Sequence, residues 1–125
     1  MTTLKAIILT YNEQRHITAC IDSVRWTDGV VVLDSFSTDE TVALARLAGA
    51  EVIQHPWTNY AHNRNIALDA VEADWILFID ADERAMADMA AEARDVTATR
   101  PEVGWWIPRH NSIFGHRMRA TGWYP

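Results

Sequence analysis

The stretch that decides the fold is residues 76–83, ILFIDADE, in which four large apolar residues run directly into two carboxylates spaced by one residue. A continuous apolar run of this length predicts a strand buried on both faces, which carries Asp80 and Asp82 to the rim of a sheet. Like charges so close together repel unless a cation lies between them and a ligand. The stretch therefore predicts a divalent metal site or, as the alternative, only the polar end of a strand that leads into a helix.

Short aliphatic runs and amphipathic segments alternate along the rest of the chain. Strands are predicted at residues 4–10, 30–33, 51–54 and 75–79, and helices at residues 17–24, 38–48, 61–71 and 86–97. Alternation of this kind predicts an α/β fold with a mostly parallel sheet flanked by helices on both faces. In such sheets ligands bind at the carboxyl ends of the strands, where Thr10, Asp34 and Asp80 are expected to lie.

Polar residues before the apolar segments predict where three of the helices start. Asn12 is expected to cap the first helix, and Asn59 is expected to cap the third. Ser37 and Glu40 have the spacing of a capping box for the second helix, which is expected to end at Gly49.

Composition limits the classes of function. The formal net charge of −6 disfavours nucleic-acid binding, because phosphate backbones are held by clustered Lys and Arg. The longest aliphatic runs, residues 6–9 and 30–33, are far shorter than the roughly 20 residues of a membrane-spanning helix. The first residues lack a secretory signal, and Cys20 as the single cysteine cannot form an internal disulfide. A cytoplasmic location is therefore expected.

Charge divides the chain into two parts. All 17 acidic residues lie at or before Glu102, whereas three of the 11 basic residues follow it. We expect residues 1–102 to form the α/β domain and residues 103–125 to form a basic, aromatic segment. Such a segment suits an anionic acceptor, a lipid headgroup at the inner membrane face, or the acidic body of its own domain. Its exposed tryptophans also favour a homo-oligomer.

Four motifs, in this order and spacing, resemble family-two inverting glycosyltransferases, and most closely the subgroup that acts on lipopolysaccharide core. They are Leu9-Thr10-Tyr11-Asn12-Glu13, Asp34-Ser35-Phe36-Ser37-Thr38-Asp39, Arg64-Asn65 and Asp80-Ala81-Asp82. The resemblance covers the chain up to Glu83. It implies the GT-A (Rossmann-like) type of α/β fold. It also implies transfer of a sugar from a nucleotide-diphosphate sugar, with a UDP-sugar as the expected donor, to a glycan or lipid-linked acceptor with Mn2+ or Mg2+.

The resemblance also implies roles for seven residues. Thr10, Tyr11 and Glu13 would line the base and ribose pocket, and Asp34 would bind the nucleobase. Arg64 would approach the base or the diphosphate. Asp80 would contact the ribose or a water bound to the metal, and Asp82 would contact the metal.

Each role has a structural alternative. Glu13 also suits a helix start, and Arg64 also suits a solvated or salt-bridged helix surface. Ser37, Asp39 and Glu40 are expected to cap a helix and fix the loop rather than bind ligand. Phe36 departs from the family, which usually has a small residue there, and so bears on which nucleotide is bound.

A catalytic base is missing from the motifs. Inverting transfer needs a group that takes the proton of the acceptor hydroxyl, and in the family this is a carboxylate well downstream of the two aspartates. No Asp or Glu follows Glu102, and His110 and His116 are expected to be surface residues. Two alternatives stay open: a piece of a longer enzyme, or a short relative that binds a nucleotide sugar without turning it over.

Other α/β families fit less well. A phosphorylated receiver domain needs an acidic pair after the first strand and a lysine after the fifth, whereas the only lysine here is Lys5. Neither a G-x-G-x-x-G turn nor a G-x-x-x-x-G-K-[ST] loop occurs. Phosphate binding would therefore depend on a metal and an arginine.

Overall fold

The structure is a computed structural model that describes residues 2–102, 104–105 and 107, and the backbone of residues 111–113 and 116–118. The main sheet consists of β1 (Leu4–Thr10), β2 (Val30–Asp34), β3 (Glu51–Gln54) and β4 (Trp75–Phe78). These four strands are parallel and stand in the order β3-β2-β1-β4. The predicted strands are thereby confirmed.

Four helices connect and cover the strands: α1 (Ile17–Ser23), α2 (Thr41–Leu47), α3 (Tyr60–Ala70) and α4 (Met89–Thr99). Residues from α1, α2 and α4 pack on the sheet face that contains Ala6, Ile8 and Val32. Residues from α3 pack on the opposite face, around Ile7 and Leu33. Alternate residues of β1 thus enter two separate cores, and the prediction of helices on both faces is confirmed.

Three details of the helix ends differ from the predictions. Asn12 does not cap α1, which begins at Ile17; it has a φ of 52°, and its side chain accepts from the backbone N–H of Thr38 instead. The capping box is also wrong, because α2 starts at Thr41 and the Ser37 hydroxyl donates to Asp34. Helix α4 begins three residues later than expected, at Met89.

The other predicted helix ends are found. The Asn59 side chain accepts from the backbone N–H of His62 at 2.8 Å and caps α3. Gly49 follows α2 with a φ of +94°, a left-handed conformation in which a residue with a side chain would be strained.

A short antiparallel pair of strands, β5 (Asn111–Ile113) and β6 (His116–Met118), follows the main sheet along the chain. Of the described helices, none has the length and apolar character needed to cross a membrane.

Candidate active site

The carboxyl ends of β1, β2 and β4 bring most of the predicted site together. Thr10 and Asp34 are direct partners in the pairing of β1 with β2, and the backbone N–H of Ile79, just after β4, donates to Ile7 of β1. Register therefore places the segments that follow these strands along one edge of the sheet. That edge carries a cleft with a charged end and an aromatic end.

The charged end is a cavity of about 190 Å3. Four of the seven predicted site residues line it: Glu13, Arg64, Asp80 and Asp82. Helix α3 supplies the arginine, and the turn after β4 supplies both aspartates. An arginine and three carboxylates around one small cavity create a site where cations and anions can be bound together.

The carboxylates of Asp80 and Asp82 have no hydrogen-bond or ion-pair partner within the described part of the chain. The turn that carries them is nevertheless fixed through its backbone. Glu83 accepts from the backbone N–H of Asp80 at 2.8 Å, and the Asp80 carbonyl accepts from the backbone N–H of Glu83. Fixed backbone with unpartnered carboxylates leaves both side chains available to a ligand.

Helix α1 supports the same turn from behind. The buried thiol of Cys20 donates to the Asp80 carbonyl at 3.4 Å, and the Ser23 hydroxyl accepts from the backbone N–H of Ala85 at 3.0 Å. Burial raises the pKa of Cys20 to about 12, so this thiol remains protonated and can donate. The two contacts join α1 to both ends of the segment after β4.

Arg64 is exposed and has no carboxylate within 4 Å among the described residues. Its guanidinium lies 5.5 Å from the centre of the Phe78 ring, a distance at which a cation and an aromatic face attract each other. The salt-bridge alternative is therefore not what the structure has. The ring supports the arginine without occupying its hydrogen-bond donors, which remain available to an anion.

The aromatic end is a cavity of about 420 Å3 that shares Leu9, Glu13 and Tyr60 with the charged end. Thr10, Tyr11, Ser35 and Trp57 complete its lining. The predicted residues Thr10, Tyr11 and Glu13 thus all border this cavity. Glu13 borders both, and its backbone N–H is held by the Thr41 hydroxyl at 2.8 Å.

Asp34 is the one predicted site residue that lines neither cavity. It is fully buried, and its carboxylate accepts from the Thr10 hydroxyl at 2.8 Å, from the Ser37 backbone N–H at 2.8 Å, from the Ser37 hydroxyl and from Gln54. These bonds fix the loop after β2 against β1. In this arrangement the Asp34 carboxylate stabilises the segments that border the cleft. Its contact with a nucleobase stays a prediction.

The loop after β2 is tied to the loop after β1 by further polar contacts. The backbone N–H of Asn12 donates to the Ser37 hydroxyl, and the Asn12 side chain accepts from the Thr38 N–H, both at 2.8 Å. Asp39 accepts from the backbone N–H of Thr41, so its predicted role in fixing this loop is confirmed. Phe36 lies in the same loop with a φ of 58° and half its surface exposed.

Sequence reasoning missed four residues of the site. Trp57 and Tyr60 line the aromatic cavity, Phe78 supports Arg64, and buried Asn63 holds the segment that carries Trp57. An asparagine at a buried helix position was the available signal for the last of these. His110, whose expected role was a surface one, lies outside the described residues, and for His116 only the backbone is described.

The residues at the charged end fit a divalent metal that a phosphate-bearing ligand helps to hold. Within residues 2–102 and the other described positions, no group of three His, Cys, Asp or Glu is placed to bind a metal without further ligands. Mg2+ and Mn2+ are held through one or two carboxylates together with substrate phosphate oxygens. Two unpartnered carboxylates beside an unpaired arginine match that donor set.

Comparison with known proteins decides the family. The sequence profile described as Glycosyl transferase family 2 matches residues 5–121, nearly the whole chain. This chain belongs to glycosyl transferase family 2. The resemblance found in the four motifs is thus confirmed.

Two relatives and one solved structure show what this family member is similar to. It is 41% identical over 118 residues to an uncharacterized glycosyltransferase of Rickettsia felis, covering 94% of this chain and 42% of that protein. It is 33% identical over 119 residues to the lipopolysaccharide core biosynthesis glycosyltransferase LpsC of Rhizobium meliloti, covering 90% and 44% respectively. The chain therefore spans less than half the length of these relatives.

The solved structure is glucosyl-3-phosphoglycerate synthase from Mycobacterium tuberculosis, in complex with Mn2+, UDP and glucosyl-3-phosphoglycerate. The TM-score is 0.59 with 29% sequence identity, over 64% of this chain and 33% of that one. The similarity confirms the GT-A type of fold for the parallel sheet and its flanking helices.

Proposed function

We propose that this chain forms the donor-binding part of an inverting glycosyltransferase that takes a sugar from a UDP-sugar with the help of Mn2+ or Mg2+. The acceptor is a glycan or a lipid-linked saccharide. Family membership and the similarity to an enzyme crystallised with UDP and Mn2+ support the donor and the metal. The similarity to LpsC supports an acceptor in the lipopolysaccharide core.

One observation carries the proposal. An arginine without an ion pair among the described residues and two carboxylates without a partner there line a cavity that shares three lining residues with an aromatic one. A nucleoside diphosphate has the complementary chemistry, because its diphosphate is anionic and its base is planar and partly apolar. Arg64 would bind the diphosphate, Asp82 would hold the metal and Asp80 would contact the ribose. The base and ribose would be bordered by Thr10, Tyr11 and Glu13. When bound, the metal would neutralise charge that develops on the departing diphosphate.

The proton acceptor for the reaction lies outside the proposed donor site. In an inverting reaction the acceptor hydroxyl attacks the anomeric carbon from the face opposite the diphosphate and loses its proton to a base. In the proposed arrangement the carboxylates of the charged cavity would lie on the donor side, with the leaving group, and none of the seven predicted site residues would serve as the base. The described residues would then supply donor binding and charge stabilisation.

A second candidate function is a binding domain that holds a nucleotide sugar without transferring it. It is favoured because the roles implied for the seven predicted site residues all concern the donor and the metal, and none concerns the acceptor hydroxyl. Incubation with a UDP-sugar and a lipopolysaccharide-core acceptor separates the two candidates, because binding without release of UDP supports the second one only.

The basic segment after residue 102 suggests how an acceptor would be reached. Arg109, Arg117 and Arg119 have the charge to meet phosphates of a lipid-linked acceptor at the cytoplasmic membrane face. We also propose that two copies of the chain contact each other through the tryptophans of residues 103–125. A single-chain mass by light scattering at high concentration would argue against that contact.

The donor site is tested by calorimetric titration with UDP, with and without Mn2+, on the chain and its Asp82→Ala variant. We expect saturable binding that requires Mn2+ and is weakened at least tenfold by the substitution, about 1.4 kcal/mol. Asp69→Ala is the matched control, since Asp69 is an exposed aspartate on α3 outside both cavities. UDP binding that depends neither on Mn2+ nor on Asp82 would refute the proposed metal site.

A further inference from the structure

Two aromatic residues of the cleft have no role in the motifs that place this chain in its family. Trp57 lies in the segment between β3 and α3, and Tyr60 is the first residue of α3. Their ring centres are 4.8 Å apart with an angle of 85° between the planes, an edge-to-face arrangement. Both rings line the aromatic cavity.

The exposure of these rings argues against a role in the core. Trp57 is 49% exposed and Tyr60 is 65% exposed, and Tyr11 on the same cavity is 58% exposed. Large aromatic side chains gain stability when they are buried, so three half-exposed rings around one concavity indicate a binding surface. Neither Trp57 nor Tyr60 belongs to the two hydrophobic cores of the domain.

Hydrogen bonds hold the segment that presents the rings. Asn63 is fully buried, accepts from the backbone N–H of Thr58 at 3.0 Å and donates to the Pro56 carbonyl at 3.4 Å. The cap of α3 by Asn59 fixes the next turn. Side chains on a braced segment lose less conformational freedom when a ligand binds, and this favours binding.

The position of Tyr60 connects the rings to the charged end. Tyr60 lines both cavities, and Arg64 lies one helical turn further along α3. A ligand whose diphosphate reaches Arg64 would therefore extend past Tyr60 into the aromatic cavity. In a nucleoside diphosphate, the group at that end is the base.

We propose that Trp57 and Tyr60 form an aromatic wall in which the nucleobase of the donor stacks on one ring and meets the other edge-on, so that these two residues determine base affinity in this chain. The inference rests on the proposed function and adds two binding residues to it. Stacking of bases on aromatic side chains is insensitive to hydrogen-bonding pattern. The wall would thus strengthen binding of any nucleoside diphosphate relative to a ligand that lacks a base.

The test compares UDP with inorganic pyrophosphate, each in the presence of Mn2+, by calorimetry on the full chain. We expect Trp57→Ala and Tyr60→Ala each to weaken UDP binding by roughly tenfold and to leave pyrophosphate binding unchanged. Trp57→Phe and Tyr60→Phe keep a ring and should retain most of the affinity. Leu68→Ala is the control, because Leu68 lies on α3, is 44% exposed and lines neither cavity.

Tryptophan fluorescence gives a direct readout of the same contact. Quenching by UDP should be reduced in Trp57→Phe and retained in Leu68→Ala. If UDP binding depends on Asp82 but is unaffected by the alanine variants, the wall is refuted and the donor site stands. Equal losses for UDP and pyrophosphate would mean general damage and refute the wall as well. If neither UDP nor the other nucleoside diphosphates bind to the unmodified chain, both proposals are overturned.

Discussion

Asp34 ends β2 and the pair Asp80 and Asp82 follows β4, the two parallel strands on either side of β1, yet their carboxylates are in opposite situations. Asp34 is fully buried, with donors from Thr10, Ser37 and Gln54 around it. The other two side chains point into a cavity and have no hydrogen-bond partner among the described residues. The difference shows that a charge at a strand end can serve the architecture or a ligand, and that contacts rather than position distinguish the two.

The largest expected effect follows from removing the braced carboxylate. Asp34→Ala leaves several buried donors without an acceptor, so we expect the free energy of unfolding to fall by about 3 kcal/mol. Chemical denaturation of the variant beside Asp82→Ala checks this. A loss no larger for Asp34→Ala than for Asp82→Ala would remove the contrast between the two sites.

Arg64 lies at the charged end of the cleft and is not a proposed metal ligand. Its substitution therefore tests that end without removing a carboxylate that would bind the metal. Arg64→Gln should weaken UDP binding by roughly tenfold while leaving the unfolding midpoint unchanged, because the guanidinium has no ion pair among the described residues. Calorimetry and thermal unfolding of the same samples provide the two measurements. Arg46→Gln on α2, an exposed arginine outside both cavities, serves as the control.

Asn12 lies in the loop after β1 and Phe36 in the loop after β2, and both have a positive φ. Glycine substitutions at the two positions separate backbone strain from hydrogen bonding. Phe36→Gly relieves strain without loss of a hydrogen bond and should raise the free energy of unfolding by about 0.5 kcal/mol, after the greater flexibility of glycine in the unfolded chain is considered. Asn12→Gly should lower it instead, since the bond to the Thr38 N–H is lost. A destabilised Phe36→Gly variant would indicate that the exposed ring stabilises the fold.

Asp28 provides a third situation for a carboxylate, which here is paired at the surface rather than buried or unpartnered. Its hydrogen bonds to Arg94 and to the backbone N–H of Leu4 lower its pKa from 3.8 to about 2. A depressed folded-state pKa contributes stability that is fully present above pH 3.8 and is lost as the pH falls through about 2. The difference in unfolding free energy between the chain and Arg94→Gln should therefore be small and constant above about pH 5 and shrink below pH 4. A constant difference down to pH 2 would contradict the pairing.

The architecture was predictable because it depends on patterns that repeat along the chain. The apolar runs at β1, β2 and β4 and the cap at Asn59 are local signals, and the structure confirms them. Ser37 has the right spacing for a capping box, but its hydroxyl donates to the buried carboxylate of Asp34, three residues earlier. That carboxylate is also bonded to Thr10 of β1, a contact between segments 24 residues apart that cannot be read from spacing alone.

The site was predictable where a motif marks it and not where packing creates it. Arg64, Asp80 and Asp82 line one cavity as their motifs imply. Trp57 and Tyr60 gave no signal, because an aromatic residue in a loop is equally compatible with a core, a surface and a ligand site. The contact between Phe78 and Arg64 required knowledge of how α3 lies against the sheet.

The hydrogen bond between Cys20 and the Asp80 carbonyl makes the chain's single thiol a reporter of local opening. A buried thiol that remains protonated at neutral pH reacts with an aromatic disulfide reagent only when α1 and the turn after β4 separate. The labelling rate, set against that of the unfolded chain, would give the free energy of that separation. Slower labelling in the presence of a bound donor would measure how strongly the cleft and the helix behind it are linked.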